Sequence, residues 1–250
     1  MAPWTEYQQL FSHCGGEKYC LEATPGYFEG GLALAEAIRG RLGDQTRIII
    51  TLRDPADRLR SFFNYKKAQL ELPDDISLPK YVELCLRLPI AERRKRENDR
   101  YWGVDGGKYI EYLPDWYSIF GPNNIKIVFF EELANDPRRV MSELCAWLGI
   151  DPSLYDGMEF TVENKTVQFR FAWLQCIAIQ VNMRLEAGLR RAPWLKRAVR
   201  QLYYTMNGVK RISTAVDKDI SRMFRDDNKA LASFLLGQGY AALPDWLAGD

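Results

Sequence analysis

The segment that most constrains the fold joins an apolar run to a helix start, and it covers residues 48–63, IIITLRDPADRLRSFF. The β-branched run at 48–52 is typical of a buried parallel strand. Asp54 followed by Pro55 is typical of a helix N-cap with a first-turn proline. We therefore expect Arg53 to end a strand at the edge of an open α/β sheet, where helix N-termini favour anions.

The helix that follows this junction is predicted to carry two stripes. An advance of about 100° per residue places Arg58, Ser61 and Tyr65 on one of them. The neighbouring apolar stripe, which we expect to face the sheet, comprises Leu59, Phe62 and Phe63. Ser61 is thus predicted to lie beside the core rather than in it.

Arg53 and Ser61 are the candidate binding residues of this segment. A guanidinium fork and a hydroxyl suit a phosphate monoester, because the arginine supplies paired charge-assisted bonds and the serine one more donor. The alternative is that Arg53 pairs with Asp54 or Asp57 while Ser61 bonds back to its own helix. The local sequence favours neither interpretation.

Composition fits one globular domain over residues 1–250, with 47% hydrophobic and 27% charged residues. A net charge of +1 gives no field for nucleic acid and favours local basic pockets instead. No apolar run reaches the roughly 20 residues of a membrane span. Five scattered cysteines predict free thiols in a reducing compartment, hence a cytoplasmic protein.

Other chemistries are disfavoured by what the sequence contains. His13 is the only histidine, which nearly excludes histidine triads and multi-histidine metal sites, so we predict no metal. Carboxylate pairs such as Asp74-Asp75 and Glu131-Glu132 are adjacent in the chain, and adjacent residues do not face each other as an acid/base pair. The absence of a Walker-type loop argues against hydrolysis of nucleoside triphosphates.

The pattern Leu52-Arg53-Asp54-Pro55, with Arg58 and Ser61, resembles the 3′-phosphate-binding motif of sulfotransferases that use 3′-phosphoadenosine 5′-phosphosulfate (PAPS). The similarity is greatest to the carbohydrate and heparan-sulfate branch and its bacterial relatives. It extends over nearly the whole chain as an ordered series of segments: 22–28 (EATPGYF), 107–120 (GKYIEYLPDWYSIF), 125–133 (IKIVFFEEL), 136–137 (DP) and 147–150 (WLGI).

This resemblance implies a P-loop-like α/β fold, with a small parallel sheet flanked by helices and a largely helical C-terminal part. It implies PAPS as co-substrate, transfer of a sulfonate to a hydroxyl or amine, and a 3′-phosphate held by Arg53 and Ser61. Lys165 and Arg170, in a loop expected to return over the nucleotide, are further candidates, and Phe169 offers a surface for the adenine. The alternative is that these are exposed loop cations and a packed ring.

One part of the family pattern has no match in the 250 residues, namely the lysine-bearing, glycine-containing loop that cradles the 5′-phosphosulfate. We therefore expect the chain to lack the N-terminal strand and that loop. No catalytic base can be assigned; Glu22 is a conceivable one, or else a buried structural residue near a strand end. A non-catalytic module that binds a nucleotide or an acceptor is the second hypothesis. The resemblance implies a small molecule or a carbohydrate as the acceptor.

Periodicity and turn residues predict further elements. Expected strands cover 18–22, 46–52 and 125–130, and expected helices cover 32–41, 55–70, 78–88, 109–120 and 217–236. A helix after Asp136 should bury Val140, Leu144 and Leu148 and end at Gly149. The charged run 91–100 is predicted to be a solvated surface or a mobile loop, with the rim of a site for an anionic substrate as the alternative. A long basic helical region is predicted over 171–212.

Overall fold

A computed structural model describes residues 4–24, 26–93, 95–160, 171, 174–181, 184, 203 and 218–248. Within this part, strand β1 (Ile48–Leu52) pairs in parallel with strand β2 (Ile125–Phe129). The register places Ile50 opposite Ile127 and Leu52 opposite Phe129. The carboxyl ends of both strands therefore meet at one edge, where Arg53 and Phe130 follow.

Helices surround this sheet along most of the described chain. The α-helices are α1 (Trp4–Gln9), α2 (Gly31–Leu42), α3 (Pro55–Ala68), α4 (Leu78–Arg87), α5 (Ile90–Arg93), α6 (Leu113–Phe120), α7 (Phe130–Asn135), α8 (Pro137–Leu148), α9 (Lys218–Met223), α10 (Arg225–Gly237) and α11 (Asp245–Ala248). Residues 174–181 are also helical. Short 3₁₀ helices cover Phe28–Gly30, Arg96–Tyr101, Asp105–Gly107, Tyr109–Glu111, Pro122–Asn124 and Pro152–Tyr155.

One face of the sheet holds the first hydrophobic core. Ile50 and Leu52 of β1, with Ile127 and Phe129 of β2, are buried among residues of α2, α6, α10 and α11. On β1 the alternate side chains behave differently, because Ile49 is 39% exposed and Thr51 is exposed. The prediction that β1 is buried on both faces is therefore wrong. Ile49 and Thr51 lie on the face of β1 that points away from the helices of the first core.

Helix α3 begins as predicted but packs elsewhere than predicted. The Asp54 side chain accepts the N–H groups of Ala56 at 2.7 Å and Asp57 at 3.2 Å, so it caps the helix. Leu59 and Phe63 are buried in a second hydrophobic core with residues of α4, α9 and the loop before Asp105. The expectation that this stripe faces the sheet is wrong, because these other elements supply its apolar partners.

A glycine-rich turn at residues 103–107 packs directly against α3 and the second core. A Cβ at Gly103 would stand 2.6 Å from the Tyr81 hydroxyl and 2.8 Å from Leu59 Cδ1. A Cβ at Gly107 would stand 2.8 Å from the Phe224 ring. Only glycine permits this approach, and the approach fixes the first half of α3 against the turn.

We expect Gly103→Ala to lower the free energy of unfolding by about 1–3 kcal/mol, the usual cost of overpacking. Tyr81 and Leu59 are both fully buried and cannot move aside cheaply. Gly40→Ala in α2 is the matched control, because a Cβ there meets nothing within 4 Å. The control should be about 0.5–1 kcal/mol more stable than the native chain. Equal urea midpoints for the two variants would contradict the packing described for the turn.

The charged run 91–100 is folded over most of its length. The Arg93 side chain is only 9% exposed, and its Nε lies 3.1 Å from Asp105 Oδ2. Its Nη1 donates to the Cys85 carbonyl oxygen at 2.8 Å. The prediction of a solvated surface or mobile loop is therefore wrong for Arg93, because a carboxylate from the next loop compensates its burial.

The N-terminal segment differs from its prediction too, since 18–22 forms no strand. Lys18 Nζ donates to the Gly149 carbonyl oxygen at 2.7 Å, and the Tyr19 hydroxyl donates to that of Leu148 at 3.1 Å. These side chains satisfy carbonyl groups that the last turn of α8 leaves free. Gly149 ends α8 in the left-handed region, with φ of 64°, as predicted.

The remaining predictions concern the C-terminal part. The helix expected over 217–236 is two helices, α9 and α10, because the chain turns at Phe224, which fills the second core. Most of the basic region 171–212 lies outside the described residues. None of the helices that the structure describes has the length and hydropathy that crossing a bilayer requires.

Candidate functional site

The Arg53 side chain lies at the carboxyl edge of the sheet, 32% exposed, between β1 and α3. Its guanidinium carbon is 4.6 Å from the centroid of the Phe130 ring, which follows β2 as Arg53 follows β1. A cation over an aromatic face is attracted by the quadrupole of the ring. The stack therefore holds the guanidinium at the edge while leaving part of it accessible.

The backbone around Arg53 is fixed from two neighbouring elements. The Tyr109 hydroxyl donates to the Arg53 carbonyl oxygen at 2.9 Å, and the Asp54 N–H donates to Glu131 Oε1 at 3.0 Å. Burial raises the pKa of Tyr109 to about 12, so the hydroxyl keeps the proton that it donates. The turn between β1 and α3 is thus held on both sides.

Two carboxylates near Arg53 have closer partners of their own. Asp54 is occupied as the α3 cap. Asp57 places Oδ2 3.9 Å from Arg53 Nη2, whereas its Oδ1 is 2.9 Å from Arg60 Nη1. In the described residues, the alternative in which a carboxylate neutralises Arg53 therefore applies only as a loose contact with Asp57. Loose, partly exposed ion pairs contribute little and yield readily to a better anion.

The number of charged side chains at this edge does not by itself favour the binding of an anion. Among the described residues, three carboxylates, Asp54, Asp57 and Glu131, accompany two guanidiniums, Arg53 and Arg60. Burial raises the pKa of Asp54, and the nearby charges of Asp57 and Glu131 raise it further against the bonds from its cap. A doubly charged ligand at Arg53 would therefore need further cations.

The raised pKa of Asp54 predicts how its removal acts on stability. The pKa of Asp54 is higher in the folded chain than in the unfolded chain. The protonated carboxyl therefore stabilises the fold, and this contribution is fully present below the unfolded pKa. It is lost as the pH rises through the folded pKa. Asp54→Asn keeps the cap and removes the charge, so near neutral pH it should be at least as stable as the native chain, with the difference shrinking in acid. Asp54→Ala loses the cap and about 1 kcal/mol. Thermal unfolding across pH 4–8 measures this; an asparagine variant that melts below the native chain near neutral pH would contradict it.

Arg58, the other arginine of the motif, is committed to the fold. Its Nη2 lies 2.9 Å from Glu29 Oε1, and only 25% of the side chain is exposed. A Cβ added to Gly106 would stand 2.3 Å from the same nitrogen, so the guanidinium lies directly on that glycine. Arg58 therefore links α3 to the glycine turn and to the 3₁₀ helix Phe28–Gly30, which precedes α2.

The remaining candidate site residues are Ser61, Glu22, Lys165, Arg170 and Phe169. Ser61 is partly buried on α3, and its sharing of a phosphate with Arg53 stays a prediction. Glu22 is exposed and accepts a bond from the Thr24 hydroxyl at 2.5 Å, so the alternative of a buried Glu22 at a strand end is wrong. Lys165, Arg170 and Phe169 lie outside the described residues.

Three residues of this edge are not predicted from the sequence to belong to the site. The sequence pattern places Tyr109 in an expected helix, Glu131 in an adjacent carboxylate pair and Phe130 at the end of an expected strand. The signal that could have found Phe130 and Glu131 is their position directly after β2. Parallel strands end at the same edge of a sheet, so residues following β2 meet those following β1.

Comparisons with known proteins identify the family and the fold of this chain. The family model described as "Sulfotransferase domain" matches residues 40–182, more than half of the chain. A crystal structure of a sulfotransferase from Alicyclobacillus acidocaldarius has the same fold, with a TM-score of 0.51, 24% identity, and coverage of 76% of this chain and 72% of that one.

Curated relatives fall into two groups. A 3-beta-hydroxysteroid sulfotransferase of Cavia porcellus is 25% identical over 66% of this chain and 53% of its own length. The human bifunctional heparan sulfate N-deacetylase/N-sulfotransferase 3 is 26% identical over 92% of this chain and 23% of its own length. The chain thus spans about half of the first relative and about a quarter of the second. On the family match, this chain belongs to the sulfotransferase family.

Proposed function

We propose that the chain transfers a sulfonate group from PAPS to a hydroxyl or amine of an acceptor. The observation that carries the proposal is Arg53, partly exposed at the sheet edge, stacked on Phe130 and set at the start of a 14-residue helix. Such an arginine can give two parallel hydrogen bonds to a phosphate, and the helix start adds a favourable dipole. A guanidinium at this place suits the 3′-phosphate of the nucleotide.

The residues divide this task between them. Arg53 and Ser61 would hold the 3′-phosphate, and displacing the loose Asp57 contact costs little. Because carboxylates outnumber guanidiniums among the described residues of this edge, cations from outside those residues would complete a site for a dianion. Lys165 and Arg170 would supply that charge. In the transfer, an acceptor oxygen or nitrogen forms a bond to sulfur as the bond from sulfur to the bridging phosphate oxygen breaks, and the acceptor proton leaves to a base.

A carbohydrate is the acceptor class that the comparisons favour. The heparan sulfate N-sulfotransferase of human aligns over 92% of this chain, and that of Drosophila melanogaster over 94%. The steroid enzyme of Cavia porcellus aligns over 66%. An amine or hydroxyl on a sugar chain is therefore the first acceptor to test, with a hydroxysteroid as the second.

A non-catalytic nucleotide-binding or acceptor-binding module is the second candidate function. It is favoured by one sequence observation, since no Gly-Lys-Ser/Thr or Lys-x-Gly-Thr sequence, typical of the phosphosulfate loop, occurs in the 250 residues. Such a module would keep the 3′-phosphate half of the site and transfer nothing.

A transfer assay separates the two candidates. PAPS with a radiolabelled sulfonate is incubated with the protein and with N-desulfated heparan sulfate or a 3-hydroxysteroid, and label in the acceptor is counted. The proposal predicts transfer that is lost in Arg53→Ala and kept in Arg47→Ala, a control at the opposite end of β1. Binding of 3′-phosphoadenosine 5′-phosphate without transfer would instead support the module. Neither binding nor transfer would contradict both.

A further inference from the structure

We propose that Glu131 is a positioning residue that locks the turn carrying Arg53, and thereby sets the affinity for the nucleotide. This inference rests on the proposed function. Glu131 is the second residue after β2, and its Oε1 accepts the N–H of Asp54 at 3.0 Å. The bond joins the end of β2 to the peptide immediately after Arg53, so it fixes the direction in which Arg53 leaves β1.

The hydrogen bond between the Asp54 N–H and Glu131 acts together with the two contacts already described for Arg53. The Tyr109 hydroxyl holds the Arg53 carbonyl group, and the Phe130 ring holds its guanidinium. Phe130 and Glu131 are consecutive, so one short segment after β2 fixes both the side chain and the following amide. Preorganised donors bind an anion more tightly because no ordering cost is left to the binding step.

The position of the Glu131 carboxylate, on a side chain of intermediate exposure, indicates that this arrangement is not an incidental surface contact. Its Oε2 is buried, and within the described residues it has no hydrogen-bond partner. A buried carboxylate oxygen without a donor costs free energy. Glu132, its neighbour, differs: the side chain is 37% exposed and Oε2 pairs with Arg139 Nη2 at 3.0 Å. Glu132 is therefore a matched control of the same residue type and element.

The test combines nucleotide affinity with amide exchange. Calorimetric titration with 3′-phosphoadenosine 5′-phosphate is made on the native chain and on Glu131→Ala, Glu131→Gln, Glu132→Ala, Arg53→Ala and Glu131→Ala/Arg53→Ala. We expect Glu131→Ala to weaken binding about tenfold, the loss of one charge-assisted bond. Glu131→Gln keeps an acceptor oxygen and removes a negative charge that opposes the dianion, so its affinity should match or exceed that of the native chain. Glu132→Ala should stay within about twofold.

The double variant tests whether Glu131 acts through Arg53. If it does, Glu131→Ala weakens binding no further once Arg53 is absent. Exchange of the Asp54 amide, followed by NMR without ligand, should accelerate at least about tenfold in Glu131→Ala and not in Glu132→Ala. Faster exchange with unchanged affinity, or an equal loss in both Arg53 backgrounds, would overturn the inference alone. A native chain that binds no nucleotide would overturn the proposed function, and this inference with it.

Discussion

Asp105→Ala should destabilise the chain by about 3–5 kcal/mol, the cost of leaving a buried charge without its partner. Arg93 and Asp105 form the pair, with side chains only 9% and 13% exposed and 3.1 Å between Nε and Oδ2. Removing the carboxylate leaves a buried guanidinium whose remaining acceptor, within the described part of the chain, is the Cys85 carbonyl group. Equilibrium denaturation with urea measures the loss.

A surface ion pair provides the matched control for Asp105. Glu83 pairs with Lys80 at 2.8 Å on α4, where both side chains are at least 40% exposed. Glu83→Ala should cost at most about 1 kcal/mol. The double variant Arg93→Met/Asp105→Ala should recover much of the stability, because an apolar side chain can replace a buried ion. An Asp105→Ala variant within about 1 kcal/mol of native would contradict the buried pair.

The same variant should loosen the candidate site. Asp105 belongs to the glycine turn, in which Gly106 supports Arg58 and Gly107 lies against Phe224 and Pro55. Because Pro55 opens α3 one residue after its cap, a displaced turn moves the helix start relative to β1. We therefore expect the nucleotide affinity of Asp105→Ala to fall even under conditions in which the variant is fully folded.

Arg53→Ala should reduce affinity for 3′-phosphoadenosine 5′-phosphate by about 30-fold to 100-fold, as expected for two charge-assisted bonds. Folding should hardly change, because the side chain is partly exposed and its Asp57 contact is loose, at 3.9 Å. Arg53→Lys keeps the charge but not the planar fork, so about a tenfold loss is expected.

Arg47→Ala is the control for Arg53. Arg47 precedes β1, at the amino end of the sheet, where its guanidinium lies over Trp147 with 5.1 Å to the ring centroid. It is thus an arginine stacked on an aromatic ring, at the wrong end of the strand for the ligand. We expect its nucleotide affinity to stay within about twofold of native. Equal losses in the two variants would indicate a general charge effect instead of a site.

Sequence rules that consider only neighbouring residues predicted the helix boundaries that depend on such neighbours. Asp54 and Pro55 marked the start of α3 and Gly149 the end of α8, because caps depend on a few neighbouring residues. Arg93 was mispredicted for the opposite reason. Its partner Asp105 belongs to another loop, and a charge run shows its composition but not which member is paired and buried.

In the candidate site, too, some features were predictable from the local sequence and others were not. Arg53 could be placed at a strand end because strand and cap are adjacent in the sequence. Its contacts with Phe130, Tyr109 and Glu131 depend on the pairing and register of β1 with β2, which a single strand does not reveal. The strand predicted at 18–22 failed because Lys18 and Tyr19 find partners at the end of α8, a long-range contact.

The most direct measurement compares two ligands that differ only in the 3′-phosphate. Dissociation constants of 3′-phosphoadenosine 5′-phosphate and adenosine 5′-monophosphate are determined for the native chain and for Arg53→Ala. We predict that the native chain prefers the 3′-phosphorylated ligand by about 30-fold or more and that Arg53→Ala loses this preference. A preference that survives in Arg53→Ala, or a native chain that does not distinguish the ligands, would contradict the assignment of Arg53 to the 3′-phosphate.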